Sequence, residues 1–222
     1  MEDISFKYKN STELMYYIII YNKNIHIVNA IYESIDTLVV DINPIVQKFY
    51  IDNIDKFKNL RQFECSECQL FTDETIGKLT YLTVLNCIRC QNITDISISK
   101  LINLKILDCH ECKNITDKSI KKLKNLTSFH CYRSQHITNK SISKLKKLTS
   151  LNCCHCYQIT DESIIKLKYL ENIACSNCPR ITDKSLSKLK KIKSIACSNN
   201  QNITNKLIDK IKDLVIMRSD YD

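Results

Sequence analysis

Leu82-Thr83-Val84-Leu85-Asn86-Cys87-Ile88-Arg89-Cys90-Gln91-Asn92-Ile93-Thr94-Asp95 is the stretch whose reading decides the fold. It reads L-x-x-L-x-C-x-x-C-x-x-I-T-D, and the pattern returns every 22 residues. The first apolar column is Leu60, Leu82, Leu104, Leu126, Leu148, Leu170, Ile192 and Leu214. The second is Phe63, Leu85, Leu107, Phe129, Leu151, Ile173, Ile195 and Met217. The third is Cys65, Cys87, Cys109, Cys131, Cys153, Cys175 and Cys197. Two periods alternate within each repeat. Leu85 and Cys87 are spaced as on one face of a strand. Ile98, Leu101 and Leu104 are spaced as on one face of a short helix. The join is Ile93-Thr94-Asp95, where either Thr or Asp can cap the helix. The column Asp73, Asp95, Asp117, Asn139, Asp161, Asp183, Asn205 holds only good capping residues.

Outside the strict array the pattern loosens. Ile35-x-x-Leu38-x-Val40 carries the first half of the motif, with Pro44, Ile45, Phe49 and Ile54 as its return. The chain therefore divides into a capping segment, 1–34, and an array, 35–222. The array has a divergent first repeat, 35–59, and 22-residue repeats from 60. In the capping segment a helical pair with Ser11 or Thr12 as N-cap is the favoured reading. A hairpin turning at Asn22-Lys23-Asn24 is the other, since the run is β-branched and aromatic.

A 20–29-residue period of the form L-x-x-L-x-L-x-x-[N/C]-x-L is the leucine-rich-repeat signature. One such repeat cannot bury its own apolar face, so repeats stack into a parallel inner sheet with helices outside. The C-x-x-C-x-x-I-T-D form resembles the cysteine-containing class found in F-box/leucine-rich-repeat substrate receptors. The resemblance covers residues 35–218. It implies an α/β leucine-rich-repeat solenoid, a right-handed arc of about eight repeats, with short helices on the convex face. Giant viruses of amoebae encode similar arrays, and the Ile-, Lys-, Asn- and Tyr-rich composition suits an AT-rich genome.

Composition narrows the function classes. The formal charge is +9, but only five of the 33 basic residues are Arg: Arg61, Arg89, Arg133, Arg180 and Arg218. A Lys-dominated surface suits solubility better than bidentate phosphate recognition. The apolar run from Leu14 to Tyr21 falls far short of the roughly 20 residues a membrane helix needs. Thirteen cysteines, with no cleavable leader visible at Met1-Glu2-Asp3, point to a reducing compartment, the cytoplasm. The sequons at Asn92, Asn114 and Asn202 are then by-products of the repeat.

Five repeats carry C-x-x-C pairs: Cys65/Cys68, Cys87/Cys90, Cys109/Cys112, Cys153/Cys156 and Cys175/Cys178. Paired C-x-x-C is a zinc signal. Yet the first Cys stands where other repeats place a core Leu. The second column runs Cys68, Cys90, Cys112, Ser134, Cys156, Cys178, Asn200. Ser and Asn are not usual zinc ligands, but both donate hydrogen bonds as Cys does. A backbone-bonding ladder accounts for the whole column, so no metal and no cofactor is expected. A second ladder, Lys78, Lys100, Lys122, Lys144, Lys166, Lys188 and Lys210, should line the convex face. Without aromatic stacking platforms it disfavours nucleic acid.

What does not repeat is the inner face of the middle repeats. The outer ones are bland there, with Ala174, Ser176, Ala196 and Ser198. The middle carries Asp108, His110 and Glu111, then His130, Tyr132 and Arg133, then Asn152, Cys154 and His155. His110, Tyr132 and Cys154 should sit on adjacent strands about 4.8 Å apart. Three readings are open: a protein-binding patch, a metal or Cys/His catalytic site built on His130 and Cys154, or an ordinary polar surface. A shallow concave sheet encloses no substrate, so an enzyme is not expected. The function expected is a protein–protein interaction module binding through Asp108, His110, Glu111, His130, Tyr132, Arg133, Asn152 and His155. The family resemblance offers an alternative, an F-box-like receptor of a ubiquitin ligase, supported only by Thr12-Glu13-Leu14 and Ile18. At the C-terminal end the last strand leaves an open edge, which a charged tail could shield or a second copy could pair, giving a homodimer.

Overall fold

The computed structural model describes residues 11–20, 25–40, 42–208 and 215–216. Two helices open it, α1 (Ser11–Ile20) and α2 (Ile25–Ser34). The helical reading of this segment is therefore met, although Ser11 and Thr12 lie inside α1 and not at its N-cap. The Asn22-Lys23-Asn24 turn of the alternative lies outside the described residues. Strand β1 (Thr37–Val39), helix α3 (Pro44–Asn53) and a 3-10 turn (Ile54–Lys56) form the divergent first repeat. Pro44 stands at the helix start, and Asn43 caps it by accepting from the Ile45 N–H at 2.9 Å.

From there strand and one-turn helix alternate. The strands are β2 (Gln62–Glu64), β3 (Val84–Asn86), β4 (Ile106–Asp108), β5 (Ser128–His130), β6 (Ser150–Asn152), β7 (Asn172–Ala174) and β8 (Ser194–Ala196). The helices are α4 (Asp73–Ile76), α5 (Asp95–Ile98), α6 (Asp117–Ile120), α7 (Asn139–Ile142), α8 (Asp161–Ile164), α9 (Asp183–Leu186) and α10 (Asn205–Ile208). A final strand β9 (Val215–Ile216) pairs with β8. Among the described residues the sheet has nine strands, all parallel, in the order of the chain. The register repeats without slip: Phe63 faces Leu85, Leu85 faces Leu107, Leu107 faces Phe129. The tail after Ile216, with Met217 and the edge where pairing of a second copy was expected, lies outside the described residues.

The core is one continuous apolar column. Leu82, Leu85, Cys87, Cys90, Ile93, Ile98, Leu101 and Leu104 are fully buried, and their equivalents stack above and below. Leu14, Met15 and Ile18 of α1 and Val28, Ile31 and Tyr32 of α2 join the same cluster. The N-terminal helices thus cover the apolar end that the first repeat cannot cover itself.

Polar ladders lock each repeat to the one before it. The second cysteine of each pair donates its thiol to a carbonyl of the preceding repeat: Cys90 to Cys65 O at 2.9 Å, Cys112 to Cys87 O at 3.0 Å, Cys156 to Cys131 O at 2.9 Å and Cys178 to Cys153 O at 3.0 Å. Asn200 does the same with its amide, to Cys175 O at 2.8 Å. All thirteen cysteines are free, and only Cys197 is not fully buried. One rung fails. Ser134 Oγ is buried with no hydrogen-bond partner. The shorter C–O bond of serine leaves the hydroxyl short of the carbonyl that a thiol reaches, which corrects the expectation that Ser134 bonds the backbone as Cys does.

The aspartate column also needs correction. Thr94, Thr116, Thr138, Thr160 and Thr182 are the helix caps, each accepting from the N–H two residues on. The Asp that follows is the first helical residue, and its carboxylate reaches forward to the next repeat. Asp95 accepts from Thr116 N at 2.9 Å, Thr116 Oγ1 at 2.6 Å and Ser119 N at 3.2 Å. Asp73, Asp117, Asp161 and Asp183 bond the next Thr in the same way. A third ladder uses the sequon asparagines: Asn92, Asn114 and Asn202 donate to Gln69 O, Gln91 O and Pro179 O.

Two consequences are testable. Ser134→Cys completes the thiol ladder and should raise the unfolding free energy by about 1 kcal/mol; urea unfolding that shows a loss would refute the rung. Burial pushes the Asp73 and Asp95 carboxyls up, but hydrogen bonds from Ser97 and Thr94, and from Ser119 and Thr116, bring the net value below the ordinary one. A depressed folded pKa means the unfolded chain binds the proton first. The ladder's contribution is therefore intact above the unfolded carboxylate value of about 3.9 and is lost as pH falls through the lower folded value. Asp95→Ala should cost about 1–3 kcal/mol at neutral pH, and the gap to wild type, followed by urea unfolding, should narrow on acidification.

Candidate functional site

Seven turns follow the strands, and each holds one residue in the left-handed region: Glu67, Arg89, Glu111, Arg133, His155, Asn177 and Asn199, with φ between 56° and 62°. None is glycine. Asn tolerates this conformation, whereas Glu, Arg and His pay for it in steric strain. The constraint comes from the flanking cysteines, which must both enter the core three residues apart. A left-handed residue between them turns the backbone so that both can.

The left-handed column projects a charged row along the rim. Arg89 reaches Glu67 at 2.7 Å and Glu111 at 3.1 Å, and Arg133 reaches Glu111 at 3.2 Å. Burial works to raise the Glu111 carboxyl, but the two guanidinium groups hold it below its ordinary value. Both arginines remain about half exposed.

Inside that row the middle repeats build an aromatic and histidine cluster. Asp108 ends β4, His130 ends β5 and Asn152 ends β6, so the three are register partners. His110, Tyr132 and Cys154 sit two residues further on, in the turns, not on the strands as the spacing suggested. They still stack across repeats. The Tyr132 ring lies 5.5 Å from His110 and 5.2 Å, edge-on, from His155. The Arg133 guanidinium lies 4.9 Å from the Tyr132 ring centroid. His110 and His130 stack at 5.9 Å and 22°. His130 Nδ1 faces Asp108 Oδ2 at 3.3 Å, and its Nε2 faces Ser128 Oγ at 3.2 Å. Asn177 meets His155 Nε2 at 3.3 Å. Burial pushes the His110 pKa below the ordinary histidine value, so its ring is neutral near pH 7.

Together these groups line a depression of about 450 Å³ bounded by Ile88, Arg89, His110, Glu111, Tyr132, Arg133 and Asn152. Five of the eight sequence-predicted residues line it directly. His130 and Asp108 lie beneath it against His110, and His155 supports Tyr132 from the next repeat. Ile88 and Arg89, part of the wall, share the columns of the candidate residues but were not among them, because the candidates came from the three repeats that follow. Glu67, one repeat back from Arg89 in sequence, was the signal that could have found it. Cys154 does not belong to the surface: its thiol is buried, and burial raises its pKa, the opposite of what a nucleophile needs.

On the convex side Lys78, Lys100, Lys122, Lys144, Lys166 and Lys188 are exposed, as the repeat spacing predicts. Desolvation lowers the pKa of Lys124 and Lys146, and crowding by neighbouring lysines adds to it. Among the described residues no helix is long and apolar enough to cross a membrane.

No family model matches the sequence, and no curated protein is significantly similar to it. Solved structures are similar. Internalin InlC2 of Listeria monocytogenes matches at a TM-score of 0.64 and 20% identity, over 85% of this chain and 83% of that one. Internalin InlF of the same organism matches at 0.61 and 20%, over 81% of this chain; the match spans about half, 52%, of InlF. The Rad7 and Elc1 complex of yeast matches at 0.56 and 16%, over 94% of this chain and 71% of that one. The shared architecture is the leucine-rich-repeat α/β solenoid, which the 22-residue period predicts.

Proposed function

We propose that the chain is a protein-recognition module that seats its partner against the concave middle repeats. The observation that carries this reading is the Tyr132 cluster. One aromatic ring is flanked by His110, His155 and Arg133. Tyr and Arg at the centre of a patch are the residue types that dominate binding energies. The Glu67–Arg89–Glu111–Arg133 row supplies a polar rim of alternating sign. Solenoids of this architecture offer the curved inner sheet to partners, and the matched Rad7 structure is itself a complex with Elc1. The module acts without chemistry of its own, in a reducing compartment that keeps its thiols free.

The F-box-like receptor reading needs the N-terminal helices to dock an adaptor. Leu14, Met15, Ile18, Val28, Ile31 and Tyr32 are instead committed to the core, which favours a cap. Binding through the convex lysines has exposed Tyr81 and Tyr169 beside basic residues, but the repeated lysine column itself carries no arginine for bidentate phosphate recognition.

The test is affinity capture from cell extract with wild type beside a Tyr132→Ala/Arg133→Ala variant, with Lys122→Ala/Lys144→Ala as the convex control. A partner retained by the control and lost by the concave variant, at a cost of roughly 2 kcal/mol or more, supports the reading. Capture that the concave variant retains and the lysine variant loses overturns it.

A further inference from the structure

We propose that Asp108, His110 and His130 form a binding site for one divalent transition-metal ion of the Zn²⁺ class beside the concave depression, which His110 lines. This goes beyond partner recognition and does not depend on it. It also departs from the sequence-based expectation of no metal, which weighed the C-x-x-C pairs. Those thiols are spent on the backbone ladder. The donors that converge are elsewhere.

One donor atom from each of the three residues lies within 4.8 Å of the others. The two carboxylate oxygens of Asp108 are divided between the rings. Oδ2 faces His130 Nδ1 at 3.3 Å, and Oδ1 faces His110 Nε2 at 3.6 Å. Donors on a tetrahedral ion at about 2.1 Å stand roughly 3.4 Å apart. Each ring nitrogen stands near that spacing from its own oxygen of the Asp108 carboxylate, and an ion would draw the three donors in from the 4.8 Å that contains them.

His110 Nε2 gives the independent reason. It is buried and has no hydrogen-bond partner, since the nearest Asp108 oxygen is beyond bonding distance. A buried polar atom left unmade is costly. A proton on His130 can satisfy Asp108 but leaves His110 Nε2 unmet, whereas one cation satisfies all three donors. His130 is already oriented for the task. Its far nitrogen meets Ser128 Oγ at 3.2 Å, a hydroxyl able to accept the Nε2–H while Nδ1 faces the ion. Two imidazoles and one carboxylate select zinc-like ions over Mg²⁺ or Ca²⁺, which want oxygen. The arginines nearby would oppose a cation, but both are held by Glu111, and Arg89 also by Glu67. Three protein donors leave a position open toward the depression, as in sites that take water or a bound molecule as the last ligand.

The test is titration of chelator-treated, reduced protein with Zn²⁺ by calorimetry and with Co²⁺ by absorption spectroscopy. The variants are Asp108→Asn and His130→Asn. Both place Asn in a strand-end column that already holds Asn86 and Asn152, so folded circular-dichroism spectra are expected. One ion per chain, a Co²⁺ spectrum without thiolate charge-transfer bands, and affinity at least about 100-fold weaker in each variant support the site. Ser128→Ala should weaken binding about tenfold. A wild-type chain that takes up no ion overturns the site, as does uptake with thiolate bands that the variants leave unchanged. A protein that captures its partner but binds no ion overturns this inference alone.

Discussion

Each repeat in this chain is bonded to the one before it through side chains that reach its backbone. A strand pair supplies backbone hydrogen bonds on the inner face only, and strands of three residues supply few of them. On the other sides the thiol of the second cysteine, the aspartate after the cap and the turn asparagine each bond the neighbouring repeat. The thiols are buried and the aspartate bonds part-buried, so failing to make them would cost more than making them gains; the asparagine bonds are exposed and add less. The 22-residue period follows, because an insertion would break all three ladders at once.

That constraint determines what is left free. Within each repeat the core positions and ladder positions are committed. The strand-end position, the residue two further on and the left-handed residue after it lie outside the three ladders, though the strand-end Asn86, Asp108 and Asn152 each accept from the N–H two residues on. In the last two repeats they are Ala, Ser and Asn. In the middle they become Asp108, His110, Glu111, His130, Tyr132 and Arg133, whose contacts are with one another across repeats. Sequence variation between repeats accumulates in the columns that the ladders do not use.

Much of this was legible in the residues. The strand register, the one-turn helices and the apolar columns follow from two alternating periods, and the structure reproduces them position by position. Seven aligned copies even identified the second cysteine as a hydrogen-bonding position. Other features were hidden. A Thr-Asp pair satisfies the rules for a cap whichever residue caps, so the aspartate's reach into the next repeat required coordinates. Ser134 looked equivalent to Cys because both donate, yet bond length separates them. The Asp108–His110–His130 convergence joins two repeats, and neither spacing nor residue type within one repeat reveals it. Arg89 lay in a legible column, but its pairing with carboxylates one repeat before and one after appears only in the structure.

The central claim is that scaffold and site are separable by column. Equilibrium urea unfolding of a fourfold variant tests it most directly: Asp108→Asn and His130→Asn, as at Asn86 and Asn152, with His110→Ser and Tyr132→Ser, as at Ser176 and Ser198. The account predicts one cooperative transition, with stability within about 2 kcal/mol of wild type, as for surface positions. A loss above about 4 kcal/mol, the scale of a core truncation, would show that these residues hold the solenoid together and would contradict it.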